Sequence, residues 1–121
     1  VIAVEELAQL QPEHFDIVTC MELLEHVPNP VQLIAACANL VKKNGKLFFS
    51  TINRNPKSYL QAILGAEYLL NLIPKGTHDY QKFIRPSEFA AWARQAGLMI
   101  HKIQGFSYRP LTKQYFLTDN V

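Results

Sequence analysis

Apolar residues recur along the first half of the chain with two different periods. Residues 4–10 carry them at helical spacing and are followed by the polar, proline-containing run 11–14. Residues 15–20 are β-branched and aromatic with few charges, which is typical of a parallel strand buried on both faces. Apolar positions at i, i+3, i+4 and i+7 then predict a helix over 31–41, which Pro30 can open. This half therefore predicts helix, strand, helix.

The second half continues the alternation. Residues 46–52 are strand-like, and 57–73 form a strongly apolar stretch at helical spacing. Another helix is predicted over about 86–96, because a proline opens it and a glycine follows it. Two strands, 98–108 and 114–118, close the chain, and their short connection suits antiparallel pairing.

Helices alternating with strands predict an α/β fold of parallel strands with an antiparallel terminal strand in the same sheet. A helical segment is inserted at about 54–83. A length of 121 residues, 49% of them hydrophobic and 18% charged, fits one globular unit. The chain begins without methionine, in residues that resemble the end of a strand. We therefore expect residues 1–121 to be the C-terminal part of a single domain, with the N-terminal half missing from this sequence.

Charge and cysteine usage exclude several classes of protein. A net charge of +2 is too small for the dense basic stripe of nucleic-acid-binding proteins, so we expect no nucleic-acid partner. No apolar run reaches the roughly 18 residues of a spanning helix, and the N terminus has no signal-peptide pattern, which predicts a cytoplasmic protein. Cys20 and Cys37 lie in apolar segments without zinc-site spacing and are expected to be buried thiols in a reducing compartment.

Glu22, Glu25 and His26 follow the predicted strand at i, i+3 and i+4. If this segment is helical, the three side chains share a face at the carboxyl end of the sheet, where α/β folds bind ligands. Two carboxylates suit Mg²⁺, and the imidazole also admits Zn²⁺ or Mn²⁺. Alternatively, the two glutamates are solvated helix charges and the histidine packs or caps locally.

Three stretches of the sequence point to a particular protein family. They are residues 21–28 (MELLEHVP), 49–55 (FSTINRN) and 65–79, which begins GAEY and ends PKGTHD. In order and nearly verbatim, they are similar to the O-methyltransferases of ubiquinone biosynthesis, which are class I S-adenosylmethionine-dependent methyltransferases. The resemblance covers essentially the whole chain, and it implies the C-terminal half of a Rossmann-like sheet.

The resemblance implies an activity and a set of site residues. The activity is methyl transfer from S-adenosylmethionine to a phenolic hydroxyl of a polyprenylated ubiquinone precursor, either a polyprenyl catechol or demethylubiquinol. The implied catalytic and metal-binding residues are Glu22, Glu25 and His26, with a divalent cation that is most simply Mg²⁺. The implied cofactor contacts are Met21 and, on the adenine side, Val4 and Glu5.

The physical reason for a metal is that a catechol hydroxyl must lose a proton before it attacks the sulfonium methyl. Coordination lowers the pKa of that hydroxyl and fixes its direction of approach. His26 could instead act as the general base, and the two roles exclude each other for one nitrogen. Met21 could equally be an ordinary core methionine.

The apolar segment within 54–83 has two interpretations. It can be a lid that buries its apolar face on the domain. It can also lie in the membrane interface, because basic residues flank it and a polyprenyl substrate resides in the bilayer. The flanking residues are Arg54, Lys57, Lys75, Lys82 and Arg85. The second interpretation predicts peripheral association with the inner membrane through anionic lipids, and the pathway implies other ubiquinone-biosynthesis proteins as partners.

The chain departs from the family pattern at its N-terminal side. The glycine-rich loop after the first strand and the acidic residue after the second strand, which hold the cofactor in this family, do not occur here. We therefore expect the chain alone to be inactive and the activity to belong to the protein with both halves. The alternatives are a class I methyltransferase for another small molecule, or an inactive truncated fragment that binds lipid or a partner.

Overall fold

The computed structural model describes residues 1–58, 74, 79–109 and 111–121. Helices alternate with a parallel pair of strands in the first range, and a helix and a β-hairpin lie in the later ranges. This arrangement confirms the predicted α/β class. In chain order the elements are α1 (Val4–Leu10), β1 (Phe15–Met21), a first 3₁₀ turn (Leu24–His26), α2 (Pro30–Leu40), β2 (Val41–Ser50), α3 (Pro56–Ser58), a second 3₁₀ turn (Tyr80–Lys82), α4 (Pro86–Gln95), β3 (Gly105–Arg109) and β4 (Gln114–Thr118).

Local sequence explains where α2 and α4 begin and end. The side chain of Asn29 accepts a hydrogen bond from the Gln32 N–H at 3.1 Å, and Pro30 occupies the first turn of α2. The first turn of α4 is held by the Glu88 carboxylate, which accepts a hydrogen bond from the Arg85 N–H at 2.9 Å. Gly97, with φ of +79°, follows the end of α4, a conformation that favours glycine. Both predicted helices are thus confirmed.

The parallel pairing of β1 with β2 brings their carboxyl ends together. The register runs from Ile17 opposite Lys46 to Met21 opposite Ser50, but it shifts between Phe15 and Ile17. This irregularity holds Gly45 against β1: a Cβ atom there would contact Val41 and lie 2.7 Å from the main-chain oxygen of Asp16. A side chain at position 45 is therefore incompatible with this register.

The last two strands form a second sheet. β3 pairs antiparallel with β4, from Gly105 opposite Thr118 to Arg109 opposite Gln114. The predicted antiparallel pair is confirmed, but its predicted place in the parallel sheet is wrong for the described residues. The strand predicted from residue 98 begins only at Gly105. Residues 98–104 instead line an open groove beside β2, with Met99 80% exposed, and form no ladder that could join the two sheets.

The main hydrophobic core lies where α2 packs against the parallel strands. Its buried members are Cys20, Leu24, Leu33, Ile34, Cys37 and Ile84. The two cysteines are buried free thiols, as predicted. A hydrogen bond with Cys20, together with burial, raises the pKa of Cys37, so this group stays protonated. A second cluster of Ala8, Ala36 and Leu40 lies between α1 and α2.

Replacing Ile34 by Val is expected to lower the free energy of unfolding by about 0.5–1.5 kcal/mol. Ile34 is fully buried, so the deleted methyl group leaves a small cavity. Val31→Ala, at an exposed position of the same helix, is the matched control and should cost less than about 0.5 kcal/mol. Urea denaturation followed by circular dichroism measures both variants. If Val31→Ala lowers the free energy of unfolding as much as Ile34→Val does, the buried position of Ile34 in the core is contradicted.

The predicted insertion at 54–83 falls mainly outside the described residues. Residues 59–73 and 75–78 are not described, so the lid and membrane interpretations stay predictions. Within the insertion, the structure gives α3 and the second 3₁₀ turn. No helix in the described ranges is long and apolar enough to cross a membrane.

Candidate functional site

The carboxyl ends of β1 and β2 form the edge where Met21, Glu22 and Glu25 lie. Immediately after Met21, the chain turns at Glu22, whose φ is +50°. This conformation lets the Glu22 N–H donate hydrogen bonds to both the main-chain oxygen and the hydroxyl of Ser50, each at 3.0 Å. The segment is therefore a tight turn held by the neighbouring strand.

Two carboxylates converge at this turn. The Ser50 hydroxyl donates to Glu22 Oε1 at 2.7 Å, and the Thr51 hydroxyl donates to Glu25 Oε2 at 2.9 Å. Glu25 is only 3% exposed, and its other oxygen, Oε1, is buried without a hydrogen-bond partner. Burial raises the pKa of Glu25 above its usual value, and the adjacent Glu22 carboxyl raises it further. Hydrogen bonds from the backbone and from Thr51 act in the opposite direction.

His26 does not join the two carboxylates. In residues 1–58 and the later described ranges, no group of three or more His, Cys, Asp or Glu side chains is placed to hold a metal ion. The predicted helical face of Glu22, Glu25 and His26 is wrong, because Glu22 is in the left-handed region and the 3₁₀ turn starts only at Leu24. His26 itself is exposed, and its N–H donates to the Leu23 oxygen at 2.9 Å.

The residues expected to contact a cofactor lie in two places. Met21 ends β1 and is 59% exposed in this chain, and its role as a cofactor contact or a core methionine stays a prediction. Val4 and Glu5 open α1 and are half-buried. The Val4 side chain packs against both buried clusters.

Ser50 and Thr51 are the residues that the sequence analysis missed. They lie in the motif over 49–55, but no role was predicted for their hydroxyl groups. A signal for them exists: hydroxyl side chains stand at the carboxyl end of the second of two parallel strands, and the carboxyl ends of such strands meet at one edge.

A second polar cluster joins the loop after β2 to α4. Arg54 forms an ion pair with Glu88 and donates to the Gln81 main-chain oxygen at 3.4 Å. The hydrogen bond from the Arg85 N–H lowers the pKa of Glu88, and the Arg54 guanidinium lowers it further. Beside this cluster lies a cavity of about 250 Å³, whose apolar lining includes Leu24 and Trp92.

Comparison with known proteins decides the family. Residues 3–103 match the family model described as a methyltransferase domain. The chain belongs to the methyltransferase-domain family. Its similar curated relatives include the ubiquinone biosynthesis O-methyltransferase of Acinetobacter baylyi, 64% identical over 120 residues, and that of Pseudomonas syringae pv. tomato, 60% identical over 120 residues. These alignments cover 99% of this chain and 50% and 52% of the relatives, so the chain spans about half their length.

The carboxylate pair of this methyltransferase domain fits a divalent cation in part. A buried carboxylate oxygen without a partner is costly, and a cation beside it would compensate that cost. Mg²⁺ usually takes one or two carboxylates and keeps several waters, so Glu22 and Glu25 suffice in type and number. Within the described residues, His26 is not grouped with these two carboxylates.

The raised pKa of Glu25 predicts how stability depends on pH in the methyltransferase domain. The folded state binds the Glu25 proton more tightly than the unfolded state does. Glu25 therefore contributes to stability below the pKa that it has in the unfolded state. This contribution is lost as the pH rises through the higher pKa of Glu25 in the folded state. Glu25→Gln removes this loss. We therefore expect the variant to gain stability relative to the wild type between pH 4 and pH 8, measured by thermal unfolding in EDTA. A constant difference across this range would contradict the raised pKa.

Proposed function

We propose that the protein, at its natural length, transfers the methyl group of S-adenosylmethionine to a phenolic hydroxyl of a polyprenylated ubiquinone precursor. The acceptor is a polyprenyl catechol or demethylubiquinol. The observation that carries this proposal is 58–64% identity, over 99% of the chain, to proteins named ubiquinone biosynthesis O-methyltransferase. The two carboxylates at the carboxyl end of the parallel strands support it, because α/β folds bind ligands at that edge.

The methyl-transfer step makes one bond and breaks one. The phenolate oxygen attacks the sulfonium methyl carbon, the sulfur–methyl bond breaks, and S-adenosylhomocysteine leaves with the bonding electron pair. The phenolic proton must go to a base before or during this attack. The role of this chain is therefore to bind the phenol, direct its oxygen and receive its proton.

Glu22 and Glu25 would hold the divalent cation, most simply Mg²⁺. When bound, that cation would lower the pKa of the phenolic hydroxyl and orient its oxygen. His26 follows Glu25 directly but lies apart from the carboxylate pair, so its imidazole is available to accept the proton. For His26, this arrangement favours the role of general base over the role of metal ligand.

Met21 would contact the methionine end of S-adenosylmethionine, since it is exposed at the end of β1. The backbone of Val4 and Glu5 would lie on the adenine side. The glycine-rich loop and the acidic residue that bind the rest of the cofactor would come from an N-terminal half outside this chain.

A methyl-transfer assay tests the proposed function. The protein at its natural length is incubated with S-adenosylmethionine labelled in the methyl group and with a polyprenyl catechol in detergent. We expect label in a methyl ether, loss of transfer in EDTA, and recovery with Mg²⁺. A small soluble catechol is the control acceptor. Transfer to the soluble catechol alone would favour the alternative of another small-molecule substrate, and transfer to neither would contradict the proposal.

We also propose that residues 54–83 bind anionic lipid and place the protein at the inner membrane, where it meets the substrate and other ubiquinone-biosynthesis proteins. The flanking cations support this, although the ion pair with Glu88 occupies Arg54. Vesicle flotation with anionic and neutral lipid tests it. We expect the protein to float with anionic vesicles, and we expect a variant lacking 59–73 to remain in the bottom fraction. Unchanged binding of that variant would contradict the proposal.

A further inference from the structure

Two consecutive hydroxyl groups each hold one carboxylate of the candidate site. Ser50 Oγ donates to Glu22 Oε1 at 2.7 Å, and Thr51 Oγ1 donates to Glu25 Oε2 at 2.9 Å. The partners are 28 and 26 residues apart in sequence. They meet because β1 and β2 are parallel and end opposite each other, with Met21 beside Ser50.

Ser50 holds both the backbone and the side chain of Glu22. Its hydroxyl accepts a hydrogen bond from the Glu22 N–H at 3.0 Å while it donates to the carboxylate. A φ of +50° is unfavourable for a residue with a side chain. The hydrogen bonds to the Ser50 hydroxyl and main-chain oxygen offset that cost and fix where the carboxylate lies.

Thr51 leaves one oxygen of Glu25 available to another group. Its single hydroxyl proton is used on Oε2, and Oε1 remains buried without a partner. The side chain of Glu25 is almost completely enclosed, so its direction is set by this hydrogen bond and by packing. The two hydroxyl groups thus determine the relative position of the two carboxylates.

We propose that Ser50 and Thr51 are positioning residues for the acceptor site, which act by fixing Glu22 and Glu25 in the geometry that binds the cation and directs the phenol. This inference rests on the proposed function. The two residues act through the carboxylates that they hold. Hydroxyl groups that orient ligating carboxylates typically change affinity or activity 10–100-fold when removed.

Matched variants of Thr51 in the protein at its natural length test the inference. Thr51→Val removes the hydroxyl and keeps the branched shape, whereas Thr51→Ser keeps the hydroxyl. For Thr51→Val we expect kcat/KM for the catechol to fall about 10–100-fold and the dissociation constant for Mn²⁺, measured by electron paramagnetic resonance without substrate, to rise about 10-fold. The KM for S-adenosylmethionine should stay within about twofold, because uniform cofactor binding is unaffected.

The conservative variant decides between a hydroxyl and a merely structural role. Thr51→Ser should recover most of the Mn²⁺ affinity and activity. Ser50→Ala should behave like Thr51→Val, and Ser107→Ala, on β3, should behave like the wild type. Equal losses in Thr51→Ser and Thr51→Val would overturn the inference.

Failure of the inference can be distinguished from failure of the proposed function. An active wild type whose Thr51→Val variant keeps wild-type Mn²⁺ affinity and kcat/KM overturns the inference alone. A wild type that transfers no methyl group overturns the proposed function, and the inference falls with it. A wild type that transfers the methyl group equally well in EDTA overturns the inference and leaves the methyl transfer standing.

Discussion

Replacing Glu25 by Gln is expected to lower methyl transfer at least about 100-fold in the protein at its natural length. The substitution preserves the shape of the side chain and an oxygen that can accept the Thr51 hydrogen bond, but it removes the negative charge beside Glu22. Without that charge, the pair would bind the proposed divalent cation poorly, and the phenolic hydroxyl would keep its ordinary pKa. Initial rates with labelled S-adenosylmethionine and a polyprenyl catechol measure the effect.

The matched control for this substitution is Glu6→Gln. Glu6 is exposed on α1 and takes no part in the site, so its variant should keep wild-type rates. Thermal unfolding of both variants separates loss of chemistry from loss of fold. Wild-type rates in Glu25→Gln, with the protein saturated in both substrates, would contradict the role of the carboxylate pair.

Replacing Gly45 by Ala is expected to lower the free energy of unfolding by about 3 kcal/mol, at the upper end of the usual cost of overpacking. The added Cβ would contact the Val41 side chain and lie 2.7 Å from the Asp16 oxygen and 3.0 Å from the Lys42 oxygen. Main-chain atoms of two strands cannot move apart without breaking the register that brings Met21 beside Ser50. Chemical denaturation measures this cost.

Gly97→Ala is the comparison for that variant. Gly97 has a φ of +79°, but a Cβ there meets no atom within 4 Å. Its substitution therefore measures backbone strain alone, which is about 1–2 kcal/mol. If Gly45→Ala costs no more than Gly97→Ala, the close approach at Gly45 is wrong.

The helices and the first strand could be predicted because their signals are local. Asn29 and Pro30 mark the start of α2, and Gly97 follows the end of α4 as its position predicts. β1 follows from a run of β-branched and aromatic residues. Each of these elements needs only its own residues to be recognised, and the parallel sheet edge follows from their order.

The geometry of the site could not be predicted in the same way. The spacing of Glu22, Glu25 and His26 suggested a helix, but Ser50, 28 residues away, holds Glu22 in a left-handed turn. A tertiary contact thus overrides the local pattern and separates His26 from the two carboxylates. The structure of residues 98–104 could not be predicted for the same reason. Whether they join the parallel sheet or line a groove depends on strands that are distant in the sequence.

The most direct test of the central claim is isothermal titration of S-adenosylmethionine, with and without Mg²⁺, into this chain and into the protein at its natural length. The claim is that the chain is the acceptor-side part of a methyltransferase whose cofactor loop lies elsewhere. It predicts that the natural-length protein binds S-adenosylmethionine and that this chain alone does not. Failure of both to bind would contradict the assignment of the cofactor, and equal binding by both would contradict the division between the two halves.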